Sequence, residues 1–365
     1  MSLRALRKGR LDGIKAGWQQ GYWLGRAESI IRNTQESHIP YFGVRMLFVR
    51  SGGGEPFLSI ERSLLSILQS TTAEVREIGV HDDVPGTALA WRPDVVLVFS
   101  GYYLPIEQIY PIKQAGIKTV IWLTDDPYTL DVTLNKAIVY DHIFTQESNC
   151  VPLYQSFGCR KVTYLPLAAD RTIYRPQYTD SSYEFDICFL GVAFVNRVAL
   201  FDALAPYLSK KKVLIAGLGW EKLKNYRLLK KSIRGNQWMT PNETAKYYCG
   251  SKIVINMHRP YDEPFHNENS KMITAKSINP RTFEIASCGA FQLTDIREDL
   301  SLSYKPHHEV ETFRDVKEFM EKADYYLTHE EDRRRIALAG LARTLLDHSY
   351  LRRVTQLMGA IVQQS

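Results

Sequence analysis

Residues 278–295 read INPRTFEIASCGAFQLTD, and they carry the clearest structural signal in the chain. Asn279 is a good helix N-cap, and Pro280 suits the first helical position, where its missing N–H costs nothing. Gly289 can end that helix in the left-handed conformation. Ala290–Thr294 then has the pattern of a short buried strand. The stretch therefore predicts a helix of about nine residues that leads into a strand.

Two side chains of this helix suggest a ligand. Arg281 and Glu284 are three residues apart, so they share one helix face near its first turn. A helix N-terminus attracts anions, and arginine adds a fixed cation that suits phosphate. Glu284 can accept hydrogen bonds from sugar hydroxyls. Together they predict a site for a nucleoside diphosphate and its ribose; the alternative is an ordinary buried helix with an ion pair.

The rest of the chain alternates between strands and helices. This order predicts parallel, doubly wound sheets, whose ligands bind at the carboxyl ends of the strands. A final helix at Tyr350–Gln364 has a core-facing apolar stripe, and a single exposed helix is expected at Lys222–Arg234. The predicted strands are Arg45–Arg50, Glu74–Ile78, Val95–Phe99, Lys118–Leu123, His142–Thr145, Lys161–Leu165, Tyr183–Leu190, Val213–Ala216, Lys252–Met257 and Ala290–Thr294.

The pattern Asn-x-Arg-x-x-Glu-x-x-x-x-Gly at 279–289, followed by an apolar strand and Thr-Asp, resembles the donor-binding segment of GT-B glycosyltransferases. It is most similar to the spore-maturation, CgeB-type glycosyltransferase-like family. The resemblance implies two Rossmann-like domains that face each other across a cleft, and a glutamate at Glu284 that holds the donor ribose. Retaining members often carry a second glutamate eight residues earlier, where this chain has Lys276, so the stereochemical outcome is not carried over.

The resemblance divides the chain into four segments. They are a basic N-terminal helical segment at 1–33, an acceptor-side Rossmann-like domain at 34–167, a nucleotide-sugar-binding domain at 168–343, and a C-terminal helix at 344–365 that crosses back to the first domain. The helix over residues 2–33 is expected to dock on the body. It is alternatively a surface for a membrane, an acidic partner or a second subunit.

Several strand ends of the second half supply further donor-site candidates. Gly191 and Arg197 form a strand, glycine turn and helix start, which the resemblance places over the donor phosphates. Trp220 either stacks on the base or packs under a helix. The long polar loop from Arg259 to Ile278 is expected to be functional or mobile, with Lys271 or Lys276 reaching phosphate. The remaining candidates are Gly217, Gly219, Trp238, His258 and Asn279.

The first half supplies the acid–base candidates. Asp125 and Asp126 leave a predicted strand at its carboxyl end, where a carboxylate can take a proton from an acceptor hydroxyl. Helix capping or loop hydrogen bonding is the competing interpretation, and His81 is a weaker rival for the base. The Trp-x-x-Asp-Asp-Pro pattern also resembles the CgeB-type family. A glycine loop, Gly52-Gly53-Gly54, follows the first strand in the place where GT-B enzymes face the cleft.

Composition narrows the class of protein. The net charge is +6, of which residues 1–32 carry +5 (seven basic against two acidic residues), so the rest of the chain gives no argument for nucleic-acid binding. Five cysteines without a close pairing motif indicate free thiols in a reducing cytoplasm. No apolar run suggests a membrane span, no signal-peptide pattern begins the chain, and no ligand spacing predicts a metal site.

The sequence therefore predicts a cytoplasmic glycosyltransferase, placed by the resemblance on the mother-cell side of a developing spore. It would use a UDP-, GDP- or TDP-linked sugar and no metal or other cofactor, and its acceptor would be a hydroxyl of a glycan or protein. Catalysis would use Asp125 or Asp126 as base and Arg281 to neutralise the diphosphate leaving group. Two alternatives stay open: a nucleotide-sugar epimerase on the same scaffold, and a non-enzymatic spore or envelope assembly protein.

Overall fold

A computed structural model describes residues 3–35, 39–235 and 238–362. Two six-stranded sheets, parallel throughout, organise them. The first sheet has the order β2-β1-β3-β4-β5-β6 and the second the order β12-β11-β10-β7-β8-β9. The strands are β1 (Phe42–Val49), β2 (Thr72–Ile78), β3 (Val95–Phe99), β4 (Lys118–Leu123), β5 (His142–Thr145), β6 (Val162–Tyr164), β7 (Phe185–Leu190), β8 (Val213–Gly217), β9 (Ile233–Gly235), β10 (Ser251–Asn256), β11 (Gln292–Asp295) and β12 (Glu311–Phe313).

Helices connect the strands and cover the sheets, as right-handed parallel connections require. They are α1 (Leu3–Asn33), α2 (Phe57–Thr71), α3 (Val84–Trp91), α4 (Ile109–Gln114), α5 (Leu130–Ala137), α6 (Cys150–Ser156), α7 (Val195–Leu208), α8 (Tyr226–Leu229), α9 (Pro241–Gly250), α10 (Pro280–Ser287), α11 (Leu300–Ser303), α12 (Val316–Thr328), α13 (Glu330–Asp347) and α14 (Tyr350–Val362). The predicted α/β class with two Rossmann-like halves is confirmed.

The strand order reverses once in each sheet, and these reversals position the site. In the second sheet the chain runs outward from β7 through β8 to β9, then returns to place β10 on the other side of β7. In the first sheet the reversal lies between β1 and β3. Ligands of open α/β sheets bind at the carboxyl ends of the strands beside such a reversal.

The final helix, α14, packs against the first sheet. Val354, Leu357 and Met358 are buried in the same core cluster as Phe48 and Trp122. Arg353 of the same helix donates from Nε to the carbonyl of Pro166 at 2.8 Å. The apolar stripe of α14 therefore completes the core of the first half.

The segment between β8 and β9 differs from the prediction. Instead of one exposed helix over Lys222–Arg234, it forms a 3-10 turn, the four-residue α8 and the edge strand β9. Leu229 is fully buried, and Ile233 pairs with Ile215 of β8. The prediction followed the basic residues of this segment and overlooked Leu229 and Ile233. Burial of these two apolar side chains determines the observed structure.

Candidate functional site

A cavity of about 410 Å³ lies between the two halves. The loops after β4 and β7 and the N-terminal turn of α10 all contribute to its lining. Asp125 and Asp126 line it from the first half, and Gly191, Arg281 and Glu284 from the second. The structure thus brings together residues that are more than 150 positions apart in the sequence.

The N-terminus of α10 is held rigidly at the cavity. The Asn279 side chain accepts from the backbone N–H of Thr282 at 3.0 Å, as an N-cap does. Asn279 also donates to Asn256 Oδ1 at 2.9 Å, and Asn256 donates to Thr282 Oγ1 at 2.9 Å. Gly289 ends the segment in the left-handed conformation, at φ 61°. Because Asn279 is occupied in this network, it orients the helix end that lines the cavity.

Arg281 and Glu284 both line the cavity, one helical turn apart. Burial raises the pKa of Glu284 to about 7, against the opposing effects of Arg281 and a hydrogen bond with Tyr174. Among the described residues, Nε of Arg281 is buried without a hydrogen-bond partner. An orphaned guanidinium N–H and a carboxyl that titrates near neutrality are unusual in a purely structural ion pair.

The turn at Gly191 brings together five of the residues predicted for the donor site. A Cβ at Gly191 would lie 3.1 Å from Nη1 of Arg197 and 3.2 Å from Nη1 of Arg281, so the missing side chain lets two cations converge there. Trp220 Nε1 donates to the Gly191 carbonyl at 2.9 Å. Gly217 has a φ of 131°, and a Cβ on it would overlap the same carbonyl. These contacts give the Gly191 turn one defined backbone path.

Trp220 therefore has the second of its two predicted positions. Its side chain is fully buried and packs edge-on against Phe189 and Phe201. It does not line the cavity. A nucleobase therefore cannot stack on it. The prediction that Trp220 binds the donor is corrected, because its side chain instead supports the Gly191 turn. Trp238, by contrast, lines the cavity and is 55% exposed.

Arg197 lines the cavity, but the backbone already occupies most of its N–H groups. It donates to the Met257 carbonyl from Nη2 at 2.6 Å and from Nε at 3.0 Å, and to the Val192 carbonyl at 2.9 Å. Burial, helped by the nearby Arg281, lowers its pKa to about 9. Arg197 thus ties the loop after β7 to the end of β10 and leaves its charge beside the cavity.

Four other predicted candidates, namely three single residues and the glycine loop, lie outside the lining. His258 is 1% exposed, and its Nδ1 pairs with Asp295 Oδ1 at 2.6 Å. Gly219 starts the 3-10 turn at φ 85°. The glycine loop Gly52-Gly53-Gly54 leads to the cavity without lining it, and the next residues, Glu55, Pro56 and Phe57, are in the wall. His81 is exposed and also outside the cavity.

The two aspartates after β4 have different surroundings. Asp126 is 2% exposed and accepts hydrogen bonds from Thr145 at 2.7 Å and from Tyr154 at 3.1 Å. Burial raises its pKa to about 6, although these hydroxyls oppose the shift. Asp125 accepts from the neighbouring Thr124 at 3.2 Å, and burial raises its pKa against the opposing charge of Arg259. Asp126 is thus saturated by hydroxyl donors, whereas Asp125 keeps acceptor capacity.

Arg259 is a cavity residue that the sequence did not single out. Its guanidinium lies 4.7 Å from the ring of Tyr128 in the first half and 5.0 Å from that of Phe194 in the second. Its Nε is buried without a partner among the described residues. The available signal was its position just after His258, at the carboxyl end of β10.

The loop from Arg259 to Ile278 contains no helix or strand, as predicted, but it is tied to the first half. Buried Glu147 accepts from the N–H groups of Lys276 and Ser277, each at 3.1 Å. The Ser270 N–H donates to Asp131 at 2.9 Å. Neither Lys271 nor Lys276, the two predicted phosphate contacts of this loop, lines the cavity. Lys276 instead pairs with Glu298 at 2.9 Å.

Two kinds of feature are absent from the described part of the chain. It holds no group of three histidine, cysteine, aspartate or glutamate side chains that could bind a metal ion. Residues 3–35, 39–235 and 238–362 also form no helix of the length and apolarity needed to cross a membrane.

Known proteins resemble this chain in sequence. A glycosyl transferase-like family model matches residues 197–359, which include Arg197, Arg281 and Glu284. The chain is 30% identical over 310 residues to spore protein CgeB of Bacillus subtilis (strain 168), and the match covers 83% of this chain and 94% of that protein. The aligned region thus spans almost the whole of this relative.

Solved structures share the fold at low sequence identity. Anabaena Alr3699/HepE, solved in complex with UDP and glucose, is 9% identical with a TM-score of 0.61, covering 88% of this chain and all of that one. Sucrose-phosphate synthase from Thermosynechococcus elongatus is 10% identical with a TM-score of 0.61, covering 88% of this chain and 98% of that one. These likenesses show the fold, which is the GT-B arrangement predicted from the resemblance of residues 279–295.

Proposed function

The chain belongs to the CgeB-type family of glycosyltransferase-like proteins, and on that premise we propose that it transfers a sugar from a nucleoside diphosphate donor to a hydroxyl group. The observation that carries the proposal is the convergence of Arg197 and Arg281 on the side-chain-free Gly191. The N-terminus of α10 lines the same cavity, and Glu284 lies one turn further along that helix. Two cations and a helix end favour a diphosphate, and a carboxylate beside them favours a ribose diol.

In the proposed complex the donor lies mainly against the second half. The diphosphate occupies the space beside Gly191, with Arg281 as its principal side-chain partner because Arg197 is committed to backbone carbonyls. Glu284 accepts hydrogen bonds from the ribose. Trp238 lines the cavity and is exposed enough for a base to pack on it. The donor base is uracil, guanine or thymine.

The acceptor approaches from the first half, where we assign the role of general base to Asp125. Its carboxylate takes the proton of the acceptor hydroxyl as that oxygen bonds to the anomeric carbon. The bond from the anomeric carbon to the diphosphate oxygen breaks, and its electron pair leaves with the diphosphate. Arg281 and the α10 N-terminus stabilise the charge that develops there. The acceptor is a glycan or protein hydroxyl, with spore or cell-surface glycosylation as its context.

A thermal-shift series tests the donor site. The purified protein is heated with UDP, GDP, TDP, CMP and their common sugar conjugates, alongside Glu284→Gln and the matched surface variant Glu321→Gln, whose side chain is 65% exposed. A ligand at 100 times its dissociation constant adds about 2.7 kcal/mol of stability. We expect one nucleotide to stabilise the wild type and Glu321→Gln but not Glu284→Gln. If no nucleotide does so at millimolar concentration, the assembly-protein alternative replaces the proposal.

Product analysis separates transfer from epimerisation. A transferase releases nucleoside diphosphate only when an acceptor is present, and it yields a glycosylated product. An epimerase changes the sugar of the donor without any acceptor. The stabilising sugar nucleotide is therefore incubated with and without candidate glycans and proteins, and nucleotide release is measured by chromatography. Donor conversion without acceptor would contradict the proposal.

A further inference from the structure

Helix α1 consists of a docked half and a projecting half. In the docked half, Ala27 is fully buried against Leu338, Leu341 and Leu345 of α13, with Trp23 and Ile30 packed alongside. In the other half, residues 7–15 and 17–18 are exposed. The helix spans 31 residues, about 46 Å at 1.5 Å per residue, so its first half extends beyond the body it packs on.

The projecting half carries a continuous apolar face. Leu11, Ile14, Trp18 and Tyr22 follow helical spacing and are 66%, 60%, 68% and 53% exposed. The rings of Trp18 and Tyr22 stack at 5.5 Å, which joins them into one surface. Scattered exposed apolar residues are ordinary, but four on one face of a projecting helix mark an interaction surface. We call these four residues the apolar face of α1.

Positive charge surrounds the apolar face. Residues 7–22 contain Arg7, Lys8, Arg10 and Lys15 against the single acid Asp12, a net charge of +3. The rest of the protein beyond residue 32 carries only +1 in total. In the docked half, by contrast, the charge of Arg26 is partly offset by Glu331 of α13, 3.9 Å away. The charge is therefore concentrated where the helix leaves the protein.

The projecting half of α1 is also a weak helix in water because of its glycines. Glycine recurs there at every fourth position, and a Cβ at any of these glycines would meet nothing within 4 Å: Gly9, Gly13, Gly17 and Gly21. Each glycine weakens an exposed helix relative to alanine. The described protein packs nothing against these glycine positions, so the helix gains most from a surface that stabilises it from outside.

We propose that the projecting half of α1 lies flat on an anionic lipid surface. The apolar face would enter the boundary between headgroups and acyl chains, where tryptophan and tyrosine are favoured. The four basic side chains would contact the anionic headgroups around it. This is a helix that lies on a membrane, in keeping with its mixture of apolar and charged residues. The inference is independent of sugar transfer, since vesicle binding is measured without donor.

Charge selects the lipid surface over a second copy of the chain. Two copies paired through this face would bring two helices of net charge +3 together, and like charges at an interface oppose association. An acidic protein would satisfy the charge, but four exposed apolar side chains and a loose glycine-rich backbone fit a fluid apolar layer better than a shaped protein groove. The vesicle experiment tests the lipid surface, and light scattering tests the second copy.

The test is co-sedimentation of the full-length protein with vesicles of 70:30 POPC:POPG and of pure POPC. Two variants disrupt the surface, Trp18→Ser/Tyr22→Ser for its apolar face and Lys8→Glu/Arg10→Glu for its charge. Two matched variants alter similar residues elsewhere, Leu302→Ser at a side chain that is 73% exposed, and Lys230→Glu/Lys231→Glu at two exposed lysines. Circular dichroism melting confirms that each variant is folded, as expected because every altered side chain is exposed.

We expect the wild type to bind the POPG vesicles at least tenfold more tightly than pure POPC. Each disrupting variant should lose at least tenfold in that binding, and the matched variants should change less than twofold. Light scattering without vesicles should show a monomer. The proposal is overturned by absence of POPG binding, by equal effects of disrupting and matched variants, or by a dimer that the disrupting variants dissociate.

Discussion

The two halves of this protein share an architecture but present opposite charges to the cavity between them. All three cations among the described lining residues, Arg197, Arg259 and Arg281, come from the second half. Four of the five lining acids come from the first half, and the exception, Glu284, lies beside Arg281 on α10. Most of these charged groups stand on loops at carboxyl ends of parallel strands or near the N-terminus of a helix that follows one.

The difference shows how one architecture is given two chemical roles. The sheets and their cores carry no charge into the cleft, so the loops at the strand ends decide what each half binds. Cations around the Gly191 turn suit a diphosphate, and carboxylates after β4 suit proton transfer. The comparison predicts that changes in the first half lower turnover alone. Changes in the second half should lower donor affinity, with a further loss of turnover where the group also stabilises the leaving diphosphate.

The largest expected effect is on turnover. Asp125→Asn removes the proposed base and should lower kcat by roughly 10²- to 10⁴-fold, the usual contribution of general base catalysis. Donor affinity should stay within about twofold, because the carboxylate faces the acceptor. Steady-state kinetics and calorimetric titration of the donor measure the two quantities. Asp262→Asn, at an exposed position on the loop after β10, is the matched control. Unchanged kcat in Asp125→Asn would remove this carboxylate from the mechanism.

Donor affinity should show the next effect. Arg281→Gln removes the charge beside Gly191 and should weaken donor binding by roughly 10- to 150-fold, as loss of a hydrogen bond to a charged group does. Calorimetry with the sugar nucleotide checks it. Arg314→Gln, whose side chain is 74% exposed and does not line the cavity, should bind as the wild type does. A kcat effect without an affinity effect would contradict the assignment of donor binding to the second half.

Donor affinity should also depend on pH through Glu284. Only the carboxylate accepts hydrogen bonds from both ribose hydroxyls, and the pKa of Glu284 is raised to about 7 by burial. The carboxylate fraction falls as pH falls through 7, so binding should be about tenfold tighter at pH 8 than at pH 6. The intact sugar nucleotide is used, since its doubly esterified diphosphate does not titrate in this range.

Glu284→Gln supplies the comparison for this pH dependence. The glutamine does not titrate, so the variant should bind the donor weakly and to the same extent at both pH values. If it retains the tenfold difference, the titrating group is elsewhere in the cavity, with Asp126 and its pKa of about 6 the next candidate.

The smallest effect is expected at the Gly191 turn. A Cβ at Gly191 would lie 3.1–3.2 Å from two guanidinium nitrogens, which must then move by a few tenths of an ångström. Gly191→Ala should therefore raise the donor KM by about threefold. The melting temperature should change little, because the expected change in the free energy of unfolding is small. Gly54→Ala, where a Cβ meets nothing within 4 Å, is the matched control and should leave KM unchanged.

Much of the fold was predictable because its signals are local. Strands β3, β4 and β5 have the predicted bounds, since each is a short apolar run between turn residues. Helix α10 begins after the predicted cap, and Asn279 makes the predicted capping bond. The return of α14 to the first half came from the family resemblance rather than from any pattern in the helix itself.

The site was predictable in part. Asp125, Arg281 and Glu284 do line the cavity, because strand ends and helix starts mark the edge of a parallel sheet where ligands bind. Trp220 and His258 stand at such ends too, yet both are buried beneath the cavity surface. Arg259 was missed because its ring contacts are with Tyr128 and Phe194, which lie on opposite sides of the cleft and far from it in the sequence.

Local sequence signals are enough to predict the alternation of strands and helices, the cap of α10 and the residue types at each strand end. These depend on hydrogen bonds and periodicities within a few residues of each other. The three-dimensional packing of the chain determines which strand-end side chains face the cavity and which face the core. That choice depends on strand order and on the path of each loop, and both are settled by contacts between residues far apart in the chain.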